Sequence, residues 1–364
     1  MSRYNYTFLY NMNPETMRKL ICAIGLLGTM LCSCVQTEHL PEVEALPAMS
    51  FNLSDVADAG SRYALSADES FPVSRTLLDD AAINQSGNQL TVYDKYTSAA
   101  GQSELYMDGV VVTRNGSSWT YEPVKNWTID GTHTFLAYLS KLGNIKLNEG
   151  NYPTVSYDET TSSLNVSSWE ITDANQFDFL YATHTRSMTE ENPYRPVALV
   201  MNHLLCAVRF QVVNLMPMDN IIIQSFKLTG LYHTGNATIS ETGTPAIDLT
   251  DNGGEAFSQT FTSGEVLGFN QSLTLLAGQG TIGSDGYILI WPHDTSHFTD
   301  KIKASLSYTY GGTEVTKAVS LADGSTKKWE AGKKYSYKLY VQDNRITFQV
   351  TVVPWVEDDV IIDG

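Results

Sequence analysis

Several groups of residues have the types and spacing to do chemistry. Gly278-Gln279-Gly280-Thr281-Ile282-Gly283 spells a GxGxxG run. In a dinucleotide site such a run opens a helix whose first amides meet the pyrophosphate. Here the chain continues into Tyr287, Ile288, Leu289, Ile290 and Trp291, which is strand-type sequence, so a glycine-rich hairpin is expected. His293 and His297 stand four apart, a spacing that converges on a metal only from a helix. They follow Pro292 in loop-like sequence, and no metal site is expected. Asp248, Asp251, Asn252 and Glu255 gather oxygen ligands without the 1-3-5 order of a helix–loop–helix calcium site. Cys206 lies in an apolar run from Leu204 to Phe210 and is expected to be a small buried hydrophobe. Neither GxSxG nor CxxC occurs. No catalytic residue and no cofactor is assigned, and a non-enzymatic protein is expected.

The elements that would carry such residues are strands. The chain has 364 residues, and 40 acidic against 23 basic side chains give a charge of −17. That leaves no cationic excess to displace counterions from nucleic acid. Apolar residues make up 42%, enough for a core, while only 17% are charged and Tyr and Gly are plentiful. This mixture favours strands and turns. Alternation is clean in Ile302/Ala304/Leu306/Tyr308/Tyr310, in Tyr335/Tyr337/Leu339/Val341 and in Ile346/Phe348/Val350/Val352. The last two runs flank Gln342-Asp343-Asn344-Arg345, expected to be a four-residue hairpin loop. Met49, Phe51 and Leu53 alternate with polar residues in the same way. No long amphipathic helix is evident, which points to sandwich or barrel architecture.

The N-terminal part has the features of an export signal. Arg18 and Lys19 precede an apolar run over 20–31, shorter than the roughly 20 residues a spanning helix needs. Met17 stands just before them, so residues 1–16 are expected to be a mis-assigned start. Leu31-Cys32-Ser33-Cys34 resembles the lipobox of bacterial lipoproteins, with Cys34 as the acylated residue. Acyl chains contribute about 0.8 kcal/mol of membrane affinity per buried methylene. After cleavage Cys206 is the one remaining thiol, so no internal disulfide can form. The expected organisation is a signal over 1–33, a lipidated tether over 34–47, one sandwich over 48–190 and a second over 191–364. The seam is placed at Glu190-Glu191-Asn192-Pro193.

Taken in order, the segments resemble the fimbrillin family of two-domain lipoproteins that build cell-surface fimbriae. The resemblance runs from Cys34 through Ser74-Arg75-Thr76 and Trp119…Trp127 to Phe135-Leu136-Ala137-Tyr138. It continues through Asp178-Phe179-Leu180-Tyr181-Ala182 and the stretch around His203 to Trp329-Glu330-Ala331-Gly332 and Trp355. Thr128 and Ser140 stand where many members carry Pro.

The resemblance implies two tandem β-sandwiches of transthyretin-like, Greek-key type, with His203 as a packing residue at a sheet edge. It implies a location at the outer membrane or in a fimbrium, serving adhesion and biofilm formation. The implied partners are other fimbrial subunits, an Arg-specific protease and a surface ligand, with no nucleic acid. The implied mechanism is strand exchange. A protease cuts at Arg75, or second at Arg62, and the strand carrying Met49, Phe51 and Leu53 leaves. A strand from the next subunit, such as 352–362 of another copy, replaces it. The competing expectation is a surface lipoprotein that binds glycans or host ligands without polymerising, or an anchor or tip subunit that keeps its first strand.

Overall fold

The computed structural model describes residues 46–55, 80–172, 176–217, 219–250, 255–276, 286–298, 302–323, 327–342 and 345–354. Cys34, Arg62, Arg75 and Trp355 lie outside these residues, as do the GxGxxG run and Asp251 and Asn252.

The described chain opens with β1 (Phe51–Asp55), a single turn α1 (Asp80–Ile83), β2 (Gln89–Thr97), β3 (Ser103–Asn115), β4 (Ser118–Thr120) and β5 (Thr132–Leu142). It continues with β6 (Ile145–Lys146), β7 (Thr154–Asp158), β8 (Ser163–Glu170), β9 (Leu180–Ser187), β10 (Val197–His203) and β11 (Cys206–Asn214). Next come β12 (Ile221–Thr229), β13 (Thr234–Ser240), β14 (Pro245–Thr250), β15 (Glu255–Leu267), β16 (Ser272–Leu275) and β17 (Ile288–Ile290). The last elements are a turn α2 (Thr295–Phe298), β18 (Lys303–Tyr310), β19 (Thr313–Ser320), β20 (Lys333–Gln342) and β21 (Arg345–Pro354).

The strands form four sheets. The largest has the order β1-β10-β9-β5-β2-β3-β4, with β6 on β5, and faces β14-β13-β8-β7. Contacts between these two include Tyr93 stacked on Tyr157 at 4.4 Å and Lys95 Nζ donating to Ser162 Oγ at 2.9 Å. The other two are β16-β11-β20-β21, with β17 on β11, and β15-β12-β18-β19. Phe210 meets Phe226 at 5.1 Å between them. The protein is an all-β sandwich fold, and its strands keep apolar residues inward by period-two alternation. On β20, Tyr335, Tyr337, Leu339 and Val341 are all buried, as the alternation predicts.

The seam expected at Glu190 lies in the β9–β10 connection. Both flanking strands belong to the largest sheet, where His203 pairs with Leu180. Past that point, β13 and β14 extend the sheet begun by β7 and β8. Only Leu204 and Leu205 separate β10 from β11, so one near-continuous run passes from the first pair of sheets to the second.

One local expectation is corrected. The β20–β21 ends pair at Gln342↔Arg345, so two residues, not four, connect the strands. The strands flanking the glycine-rich stretch, β16 and β17, do not pair with each other. Both β16 and β17 run antiparallel along β11, at Phe210↔Leu275 and Val208↔Ile288. Residues 277–285, which hold the glycines, lie outside the described residues. The described chain resumes at Gly286 and passes into β17, a strand.

Candidate functional site

Met49, Phe51 and Leu53 belong to a segment inserted at the edge of the largest sheet. β1 lies parallel to β10 with Phe51 opposite Val197 and Asp55 opposite Met201. The residues just before β1 are held on their other side. Trp127 N–H donates to Pro47 C=O at 3.0 Å, and Met49 N–H donates to Lys125 C=O at 2.8 Å. Val197 N–H donates to Ser50 C=O at 2.8 Å. The segment therefore enters between the start of β10 and the 121–127 loop, then continues along β10 alone among the described strands.

Its side chains close the core. Met49 and Phe51 are each 2% exposed, and Leu53 is half-buried. Phe51 packs edge-on against Tyr121 at 5.6 Å and Phe135 at 6.0 Å. The Tyr121 hydroxyl donates to Met49 C=O at 3.2 Å, and burial pushes its pKa up, keeping it a neutral donor. Burying side chains of this size stabilises by about 1.5–3 kcal/mol each. Each ladder bond adds about 0.5–1.5 kcal/mol.

Two polar networks support this groove. The Arg186 guanidinium, on β9, is 1% exposed and stacks on Trp127 at 5.3 Å. It donates to Pro193 C=O at 3.4 Å, to Pro196 C=O at 3.3 Å and to Arg195 C=O. It thus ties the segment leading into β10 to the Trp127 that receives Pro47.

The second network is Asp94–His133–Thr128. His133 Nδ1 lies 2.7 Å from Asp94 Oδ2, and Nε2 lies 2.9 Å from Thr128 Oγ1. Gly131, at φ +80°, lets the 128–131 loop press against Thr97, whose carbonyl would be 2.4 Å from an added Cβ. The spacing is that of a nucleophile–base–acid relay. However, Thr128 already donates its proton to Asp130 C=O at 2.8 Å, so its oxygen accepts from Nε2–H. A nitrogen that carries the proton cannot act as base toward that hydroxyl. Burial pushes the Asp94 carboxyl above its usual 3.8, and its Oδ1 has no partner among the described residues. The line acts as a hydrogen-bonded pillar beneath Phe135, which stacks on His133.

His203 is more than a packing residue. Its Nδ1 lies 2.9 and 3.0 Å from the two Asp178 oxygens, with both side chains buried. The pair joins the end of β10 to the segment entering β9. Sequence reading missed this pair, Arg186 and the Asp94 network. A signal was present for Asp94 and His133. Each has the inward parity of its strand, with Leu90 and Val92 or with Phe135 and Ala137.

The remaining candidates are placed differently. Cys206 is fully buried, its pKa is pushed far up by burial, and its thiol donates to Ile290 C=O at 3.2 Å. His293 is also buried. Its Nδ1–H donates to Trp291 C=O at 2.7 Å, and its Nε2 accepts from Tyr232 N–H at 3.1 Å. Both nitrogens are therefore engaged by backbone. Among the described residues, no group of three His, Cys, Asp or Glu side chains is placed to hold a metal ion. Trp119, Trp127, Trp169, Trp291 and Trp329 are all buried, so none offers an exposed sugar-stacking platform.

Fold and groove define a class: an all-β sandwich protein whose first strand plugs the edge of its own core. A family model described as fimbrillin-like matches residues 75–355, and the chain belongs to that family. Among solved structures, it is similar to a fimbrial protein from Bacteroides vulgatus at 14% identity and TM-score 0.57, covering 85% of this chain and 99% of that one. A fimbrial assembly protein from Parabacteroides distasonis matches at 12% identity and TM-score 0.34, covering 74% and 92%. At these identities the likeness concerns the fold. No curated protein matches the sequence.

Proposed function

We propose that this chain is a structural subunit of a cell-surface fimbrium, exported as a lipoprotein acylated at Cys34 and assembled by strand exchange. It supports adhesion and biofilm formation from the outer membrane. Family membership supports the fimbrial role and the cell-surface location. The observation that carries the exchange is β1. It is a five-residue strand with a single strand partner, β10, among the described residues, yet its segment fills the core with Met49 and Phe51.

While the chain is intact, β1 is tethered at an effective concentration on the order of millimolar, so it outcompetes free strands. Cleavage at Arg75, or at Arg62, turns it into a separate peptide that can dissociate. The vacated edge of β10 then offers unpaired amides and carbonyls, with pockets for alternate side chains. Residues 352–362 of another subunit are the proposed occupant.

The test treats the precursor with an Arg-specific protease and follows assembly by electron microscopy with immunogold against this chain. Labelled filaments are the expected outcome. Intact Arg62 and Arg75, or a cut chain that stays monomeric with β1 bound, contradicts exchange. Label confined to the filament end or base would favour a tip or anchor subunit that keeps β1. The non-polymerising glycan binder gains no support from the described tryptophans, all of which are core.

A further inference from the structure

The outer face of the β16-β11-β20-β21 sheet differs in charge from the rest of this acidic chain. Strand parity turns Val208, Phe210 and Val212 of β11 and Tyr335, Tyr337 and Leu339 of β20 into the core. The alternate positions face outward. The ionisable acids and bases among them are Arg209, Lys334, Lys338 and Arg345, all cationic. No Asp or Glu occupies an outward position on these four strands. None of the four cations is in an ion pair among the described residues, whereas Lys95, Lys146, Arg195, Lys328 and Lys333 all are.

Register brings these groups together. Lys338 lies across from Gln211 on one side and Gln349 on the other, and Arg209 lies across from Ser336. Arg209 Nη2 donates to Ser336 Oγ at 3.1 Å, and its guanidinium sits 4.8 Å over the Tyr287 ring. The Arg209 Nε has no partner among the described residues. Lys334 Nζ approaches the same ring at 5.9 Å. Lys338, Arg345, Thr347, Gln349 and Thr351 are exposed.

We infer that this face is a binding surface for an acidic polysaccharide, one whose sugars carry carboxylate or sulfate groups. Lys338 and Arg345 are exposed, while Arg209 and Lys334 are half-buried against the buried Tyr287; cations set among such hydroxyls and amides match a ligand that is charged at intervals and hydroxylated between. A protein partner fits less well. Protein interfaces centre on buried aromatic or aliphatic anchors and are depleted in Lys, and the exposed part of this face offers Lys, Thr and Gln. Duplex nucleic acid also fits less well. It carries one charge per about 1.7 Å, a density that four cations cannot match against a chain of net charge −17. The inference does not depend on strand exchange, because an unassembled chain presents the same face.

The test titrates the full chain with chondroitin sulfate at low salt, with neutral dextran and a short DNA duplex as parallel arms. K338E/R345E reverses two exposed cations of the face. K303E reverses an exposed lysine on β18, in the opposite sheet, as the control. Chondroitin sulfate is expected to bind, with affinity falling steeply between about 50 and 200 mM salt. K338E/R345E should weaken binding at least roughly tenfold, since half the cations of a counterion-releasing site are reversed. K303E should leave it unchanged, and dextran should not bind. The inference is overturned if chondroitin sulfate does not bind, if K303E weakens binding equally, or if the duplex binds more tightly. Salt-dependent self-association lost in K338E/R345E without glycan binding would assign the face to a second copy and overturn it too.

Discussion

β1 and β21 are both edge strands, and they are held by opposite means. β21 joins β20 through two intervening residues and pairs along its whole length, from Gln342↔Arg345 to Lys333↔Pro354. Its inward residues Ile346, Phe348 and Val350 are only half-buried, and Val352 is 39% exposed. β1 pairs with a strand far along the chain, over five residues, and buries Phe51 at 2% exposure. One strand is secured by local connection and covers a partly wet face. The other is secured by what it fills. The proposed exchange requires a strand of the second kind, one held by the pockets it fills and by its tether.

The largest expected effect separates the two directly. Phe51→Ala should cost about 3–5 kcal/mol, the range for emptying a closed aromatic site. Phe348→Ala on β21 should cost less than half as much, because its site is already partly hydrated. Urea midpoints of the two variants would show this, and equal losses would erase the distinction between plug and cover.

A smaller difference is expected between the polar pairs of the two regions. Asp178→Asn leaves buried His203 without its carboxylate and should cost about 1–3 kcal/mol. Lys328→Ala removes an exposed partner of Glu330, 2.7 Å away, and should cost about 0–1 kcal/mol. Thermal unfolding would rank them.

The smallest effects lie in pH dependence, and they have opposite signs. Asp94 is raised above 3.8 by burial, so the unfolded chain ionises first as pH rises. Stability therefore falls from pH 3.8 up to the folded value of Asp94, and Asp94→Asn should flatten that slope. Glu330 is lowered below 4.5 by hydrogen bonds from Lys328 and Lys333. Its contribution is present above 4.5 and is lost as pH falls through the lower folded value. Glu330→Gln should remove that acid-side loss, which is small because the carboxylate is partly exposed. Denaturation midpoints across acidic pH would separate the two slopes.

Much of this contrast was legible in the residues. Alternation exposed Met49, Phe51 and Leu53 as one-faced, and it marked β18, β20 and β21 within two residues of their ends. Partners were not legible where pairing is long-range. Nothing in Phe51 names Val197, and nothing in β11 names its parallel neighbour β20, because period two sets the face and not the neighbour. That β16 and β17 would both pair with β11 was not legible either. The polar supports were half-legible. Asp94 and His133 are polar residues at inward positions of otherwise apolar faces, which marks a buried polar position without naming its partner. Arg186 gave no such hint of the carbonyls it binds.

The most direct test follows the fate of β1 itself. Isotope-labelled precursor is cut with an Arg-specific protease and mixed with a second subunit or with a peptide spanning 345–362. The fragment containing Met49–Asp55 is then tracked by mass spectrometry across a sizing column. Loss of the fragment from the chain, in step with acquisition of the incoming strand, is the predicted result. A fragment that stays bound at its original stoichiometry, while the added strand remains free, would contradict the view that β1 is a removable plug.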